Sequence, residues 1–141
     1  MKATRYIPFV GRLMIGLPFA LSGVGKLAAI GPTIEMIRTA GLPLAPLALA
    51  LTIALEVSGG LLLVVGFRTR LAAAALAFFS LAAAAAFHSN FADPNQMIHF
   101  FKNVMMAGGL LQIVAFGAGA LSIDNRSAKG GEITANMSLA S

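Results

Sequence analysis

Four apolar runs, each about as long as a bilayer is thick, limit what this chain can fold into. They cover approximately residues 6–29, 46–67, 71–87 and 97–120. A helix crosses the hydrocarbon core with roughly 20 apolar residues. Lipid offers no partner for backbone N–H and C=O groups, so a short chain of this kind spans it as helices. The sequence therefore predicts an all-α, integral membrane four-helix bundle.

Composition supports a single transmembrane domain over residues 1–121. Only 11% of the 141 residues are charged, whereas soluble domains carry about 25%. Four spans and their connections leave no room for a soluble domain, and the polar, aperiodic residues 122–141 are predicted to be a disordered cytoplasmic tail. The chain has no cysteine. Thiol–disulfide exchange and thiolate-bound clusters are therefore excluded.

The basic residues predict orientation. Net charge is +5, but the bases lie at the ends of the apolar runs and not along one stripe, so we expect no nucleic-acid partner. With four spans, the termini and the second-to-third connection share one side. That side carries Lys2, Arg5, Arg12, Arg68, Arg70, Arg126 and Lys129, against Lys26, Arg38 and Lys102 on the other. The positive-inside rule then predicts a multi-pass protein of the bacterial cytoplasmic (inner) membrane with both termini cytoplasmic.

The first connection has the pattern of a short interfacial helix. Apolar Ile34, Met36 and Ile37 alternate with Glu35 and Arg38, which is typical of an amphipathic helix lying at the membrane surface. Two roles are open for it. It could close over the bundle as a lid, or it could be a loop helix that only covers the core.

Glycines are predicted to bring the spans close together. On span one, Gly16 and Gly23 share a face with Arg12, Phe19 and Lys26, because the spacing is 4-3-4-3. Small residues on one face allow a second membrane helix to approach closely. The predicted packing glycines are Gly16, Gly23, Gly59, Gly60, Gly108 and Gly109.

One acid lies in the middle of span two. Glu56 is roughly 15 Å from either end of that span, at 1.5 Å per residue. Intramembrane acids usually face the bundle interior and have a partner. We therefore predict a polar core, or pocket, with Glu56 as its floor. The other predicted members are Arg12, Lys26, His88, His99, Lys102 and Asn103. The alternative is a buried structural network that fixes helix register.

A metal site is not predicted. His88 and His99 flank one outer loop and could approach each other. With Asp93 they still lack the spacing of a known metal site. Histidines that cap helix ends are the commoner case.

Several motifs along the chain resemble one family of small bacterial membrane proteins, the DoxX family. The resemblance extends from about Tyr6 to Asp124. The matching segments are Gly11-Arg12-Leu13, Ser22-Gly23, Gly25-Lys26-Leu27, Glu56, Gly59-Gly60-Leu61, Thr69-Arg70-Leu71-Ala72, His88, Phe101-Lys102-Asn103, Gly108-Gly109, and Gly117 to Asp124.

This resemblance implies a four-helix membrane bundle and a link to redox chemistry. The family takes its name from membrane subunits linked to quinone-coupled oxidation of sulfur compounds, although most members have no assigned activity. We therefore expect a redox-associated membrane subunit with a pocket for a quinone or a small anion. Its partners would be the lipid bilayer and another protein of a membrane redox complex, or further copies of itself. Any enzymatic activity would be that of a quinone-linked oxidoreductase subunit.

Two other functions are consistent with the same residues. The chain could be a non-enzymatic assembly or accessory protein whose polar core serves packing alone. It could also be a small-molecule transporter, but four spans would have to oligomerise to form a pathway. No catalytic residue is predicted under any of the three.

Overall fold

The computed structural model describes residues 3–127, and helices account for most of this range. Four helices are long and apolar enough to cross a membrane, and a shorter one occupies the first connection. They are α1 (Ala3–Ala28), α2 (Ile30–Thr39), α3 (Ala45–Val65), α4 (Thr69–Phe87) and α5 (Pro94–Phe116). The predicted all-α architecture with four membrane spans is confirmed.

The four spans form two pairs around a small-residue core. Helix α1 packs along α3, α4 packs along α5, and the α3–α4 contact joins the pairs, while α2 lies on α3. Leu63, Leu76 and Leu110 are completely buried where α3, α4 and α5 meet. Alanines of α4, including Ala73 and Ala77, fill the space between them, which explains the alanine-rich sequence of that span.

The antiparallel connections bring four helix ends together. The start of α1, the end of α3, the start of α4 and the end of α5 lie at one end of the bundle, here called the Arg12 end. Helix α2 and the α4–α5 loop lie at the other, here called the α2 end. Which side of the membrane each faces stays the prediction made from the basic residues.

The fourth span begins and ends earlier than the apolar run suggests. Asp93 is the N-cap of α5, where its carboxylate accepts a hydrogen bond from Asn95 N at 2.9 Å. Pro94 follows at the first helical position, where a missing N–H is harmless. The helix ends at Gly117, whose φ of 79° is left-handed. Asp93-Pro94 is thus the start of the helix.

Two glycines put the backbones of α1 and α3 in direct contact. A Cβ built on Gly16 would lie 2.6 Å from Gly60 O, and one built on Gly60 would lie 2.5 Å from Gly16 O. Neither backbone can retreat without separating the helices. A Cβ on Gly23 would lie 2.7 Å from Val57 Cγ2. The α1–α3 contact therefore requires glycine at several points, as membrane helices without a hydrophobic driving force often do.

The other predicted packing glycines differ in their surroundings. Gly59 faces α4, where a Cβ would lie 3.0 Å from Leu76 Cγ. Gly109 packs only against the tip of the Ile15 side chain, at 3.3 Å. Gly108 is not in a helix contact, because a Cβ there would meet no atom within 4 Å. Its neighbour Gly109 occupies the inward face of α5 instead.

Substituting Gly16 should separate α1 from α3. Alanine is favoured over glycine by about 1 kcal/mol in a helix, but Gly16→Ala would also push a methyl group against a backbone oxygen. We expect a lower midpoint of thermal unfolding in detergent, by the equivalent of about 1–3 kcal/mol. The control is Gly25→Ala on the same helix, where no atom lies within 4 Å. Equal midpoints for the two variants would contradict the close contact.

Candidate functional site

Glu56 lies in a closed polar triad between α1 and α3. Its side chain is buried, with the residue 4% exposed. Lys26 Nζ donates to Glu56 Oε2 at 2.7 Å and to Ser22 Oγ at 2.9 Å, and Ser22 Oγ donates to Glu56 Oε1 at 3.3 Å. Ser22 and Lys26 are one turn apart on α1, so they face α3 together.

The local sequence explains this arrangement. Gly23 lies between Ser22 and Lys26 on the buried side of α1, and a Cβ there would lie 3.1 Å from Glu56 Cβ. Its hydrogen atom lets the acid approach the α1 backbone. Among the basic residues expected to share a polar core with Glu56, Lys26 is the one that forms an ion pair with it. Ser22 is not among the predicted site residues, although its spacing of four from Lys26 is the signal that identifies it.

A cavity of about 170 Å³ lies beside the triad. Its lining is partly polar and partly apolar and aromatic. The first group of lining residues is Lys26, Thr33, Thr52, Glu56 and His88, and the second is Met36, Ile37, Phe79, Ala83 and Phe87. Four helices and the first residue after α4 thus surround one small space that contains an ion pair.

Helix α2 forms the cover of this cavity. Thr33 and Ile37 are its buried residues, and both line the cavity together with Met36. Ile37 also packs with Ala45 and Leu49 of α3, which holds α2 against the bundle. Of the two roles open for α2, the structure shows that it covers the core and that it contributes cavity wall.

His88 and His99 stack on each other at the α2 end. Their ring centroids are 5.1 Å apart and the rings are inclined by 25°. His88 lines the cavity, whereas His99, on α5, does not line it. Burial lowers the pKa of His88, and the charge of His99 lowers it further. Within residues 3–127 there is no group of three or more His, Cys, Asp or Glu side chains that could hold a metal ion.

Three predicted members lie away from the cavity. Lys102 is exposed on α5, and Asn103 Nδ2 donates to His99 O at 3.0 Å. Neither lines the cavity, because α5 packs chiefly against α4 and the cavity is formed by the other four helices. Arg12 is fourteen residues from Lys26, which is about 21 Å along α1.

Arg12 instead joins three segments at the Arg12 end. The residue is 1% exposed. Its Nη1 donates to Leu63 O at 2.7 Å and to Val64 O at 3.3 Å, and its Nη2 donates to Leu121 O. The first two oxygens are C-terminal carbonyls of α3, which have no partner within the helix and attract a cation. Gly66 makes room, since a Cβ there would overlap the guanidinium.

Asp124 connects the segment after α5 to the start of α4. Its Oδ1 accepts from Arg68 N at 2.8 Å, and its Oδ2 accepts from Thr69 N at 2.9 Å and from Thr69 Oγ1 at 2.7 Å. Asp124 N donates to Gly66 O at 2.9 Å. Asp124 and the buried Ser122, both assigned to the tail by the sequence, therefore contact the bundle. The rest of that predicted tail, 128–141, lies outside the described residues.

The hydrogen bonds of Asp124 change its acidity. Burial alone raises the pKa, but the bonds from Thr69 and Arg68 and the charge of Arg12 outweigh it, so the pKa is below its usual 3.8. A carboxylate whose pKa is lower in the folded than in the unfolded state stabilises the fold at pH values above its unfolded pKa. That stabilisation is lost as pH falls through the folded pKa.

Asp124→Asn should therefore destabilise the protein at neutral pH. An amide offers one oxygen, and its NH₂ group would face a donor. We expect a loss of about 1–2 kcal/mol, measured as a lower midpoint of thermal unfolding. The difference from the unmodified protein should shrink below about pH 3.8. Asp93→Asn is the control, because Asp93 accepts through one oxygen only and asparagine caps equally well. A difference that persists in acid would contradict this account.

The histidine stack should make stability depend on pH. A lowered pKa of His88 means that the unfolded chain binds the proton more readily, so stability falls as pH falls through about 6.5. We expect the thermal midpoint to drop between about pH 7.5 and about pH 5.5. The drop should be smaller in His99→Phe, which keeps an aromatic ring but removes the second charge. The same drop in both proteins would contradict the coupling.

Comparison with known proteins agrees with this architecture. The sequence matches the DoxX family over residues 7–89. Inner membrane protein YqjF of Escherichia coli (strain K12) is 38% identical over 115 residues, which cover 82% of this chain and 87% of YqjF. Inner membrane protein YphA of the same strain is 31% identical over 141 aligned residues, covering 89% of this chain and 100% of YphA. No solved structure gives a significant match. This multi-pass membrane protein therefore belongs to the DoxX family.

Proposed function

We propose that the cavity beside Glu56 binds the head group of a membrane quinone, and that the chain is the quinone-binding subunit of a membrane redox complex. The observation that carries this proposal is that an ion pair and two aromatic rings line the same cavity inside the spans. A cavity of about 170 Å³ is close to the roughly 150 Å³ that holds a benzene ring. It admits one ring, and the isoprenoid chain of the quinone would extend into lipid.

The donors of the site suit a quinone carbonyl. Lysine has three N–H donors, and Lys26 uses two of them, on Glu56 and Ser22. The third is free to donate to a ligand oxygen. Phe79 and Phe87 offer apolar rings to the quinone ring. A small anion suits the cavity less well, because the carboxylate of Glu56 already neutralises Lys26 at 2.7 Å.

Within this proposal Glu56 handles protons. A quinone takes up protons when it is reduced, and a carboxylate within the spans is a suitable relay. The chain has no cysteine and so no thiolate-bound cluster. The electrons would be delivered by a protein partner with its own redox group.

One observation favours a second candidate, a structural role in membrane assembly. Lys26, Ser22 and Glu56 bond to each other in a closed triad, so the acid already has partners without any ligand. Such a network can fix the register of α1 against α3. The transporter hypothesis has no comparable support.

Replacing the ion pair distinguishes these two functions. Lys26→Met removes the free donor but leaves a buried carboxylate unpaired, which is strongly destabilising. The double variant Lys26→Met/Glu56→Gln removes both charges and should fold. If the cavity binds quinone, that variant should bind a short-chain ubiquinone at least about tenfold more weakly in detergent, as expected for losing a charged hydrogen-bond donor. Lys102→Met is the matched control and should bind normally.

Titration calorimetry measures quinone binding by each variant, and thermal unfolding measures its stability, so the two methods together distinguish the two functions. Unchanged quinone binding in the folded double variant would contradict the quinone proposal. If the unmodified protein binds no quinone, and Lys26→Met is destabilised while the double variant regains stability, the structural role is favoured instead.

A further inference from the structure

An open groove at the Arg12 end has no part in the proposed function. Its volume is about 760 Å³, and it lies between the start of α4 and the segment that follows α5. Its lining includes Arg68, Arg70, Leu71, Phe116 and the backbone from Gly117 to Ala120.

Two guanidinium groups face this groove without acidic partners. Both arginines are exposed, and among residues 3–127 neither has a carboxylate within 4.0 Å or a side-chain hydrogen bond. Arg68 lies over the Phe67 ring, with Cζ 6.0 Å from the centroid. Asp124 also lines the groove, but its oxygens already accept from Arg68 N and from Thr69. The groove therefore has a surplus of positive charge and unused donors.

The backbone turn after α5 packs against the Arg70 side chain. Gly117 has φ 79° and ψ −166°, a conformation almost restricted to glycine. A Cβ at this residue would lie 3.4 Å from Arg70 Nε. The side chain of Arg70 thus rests against the glycine and borders the groove.

Two residues that line the groove are large, apolar and exposed. Leu71 is 64% exposed and Phe116 is 80% exposed, and both belong to membrane-spanning helices. Each lies in the terminal turn of its helix, one near the start of α4 and one at the end of α5. The groove thus has both cationic and apolar side chains where the spans end, and a phospholipid has an anionic phosphate followed by apolar acyl chains.

We propose that this groove binds the phosphate group of an anionic glycerophospholipid. Arg68 and Arg70 hold the phosphate, since the guanidinium fork matches phosphate oxygens. Leu71 and Phe116 contact the first part of the acyl chains. A single basic residue beside a span only biases orientation, whereas two unpartnered arginines at a groove of this shape form a binding site.

Native mass spectrometry of the full chain in mild detergent tests the proposal with phosphatidylglycerol as the probe. Each arginine near an anionic lipid contributes enough that its removal weakens binding about fivefold. We expect Arg68→Gln/Arg70→Gln to bind phosphatidylglycerol about 25-fold more weakly. The matched control, Arg38→Gln/Lys102→Gln, removes the same charge at the α2 end and should bind normally. Equal binding by the two double variants would overturn the proposal.

Two further measurements complete the test. Inorganic phosphate, added at constant ionic strength, should displace little lipid; displacement at micromolar phosphate would mean a site for free phosphate and would overturn the lipid assignment. If the double variant is not recovered folded, phosphatidylglycerol binding is measured on the single variant Arg70→Gln instead. A roughly fivefold weaker affinity supports the site, and an unchanged affinity refutes it.

Discussion

The backbone contact between α1 and α3 is the interaction on which the other features depend. It passes through Gly16 and Gly60, where the two chains touch without side chains between them. About one turn of α1 in one direction leads to Arg12 at the end of α3, and nearly three turns in the other lead to Lys26 beside Glu56. Lipid provides no hydrophobic drive for helix association. Close packing and the polar bonds at both ends must therefore supply the specificity of this pair.

The two polar centres along this contact differ in chemical character. At the Arg12 end, the guanidinium binds backbone carbonyls and serves to join segments. At Glu56, side chains bind side chains next to an unfilled volume. Only the second lies beside a cavity that aromatic side chains also line. This difference separates a structural clamp from a candidate ligand site within one DoxX protein.

The sequence predicts the four spans, because long apolar runs have no other stable solution in a membrane. It also predicts that Glu56 faces the bundle interior and has a polar partner, because an unpaired acid in a span is costly, but it does not single out Lys26 from the other candidates. The placement of Arg12 is not predictable in this way. Helical periodicity puts it on the correct face of α1, but its partners are carbonyl oxygens, which no side-chain pattern reveals. Lys102 and Asn103 were expected beside Glu56 but do not line its cavity, because a single sequence does not show which helices α5 packs against. The capping of α4 by Asp124 joins residues 55 apart, beyond any local motif.

Arg12 also has a consequence for the order in which the protein is made. Its α3 partners, Leu63 and Val64, are synthesised some fifty residues after it, and Leu121 follows more than a hundred residues after it. A guanidinium that enters the membrane with the first span must therefore remain hydrated, or be held by the insertion machinery, until α3 arrives. The last bond forms only after the fourth span is complete. Biogenesis of this bundle thus has a built-in final step, in which residues just beyond the last span close onto the first.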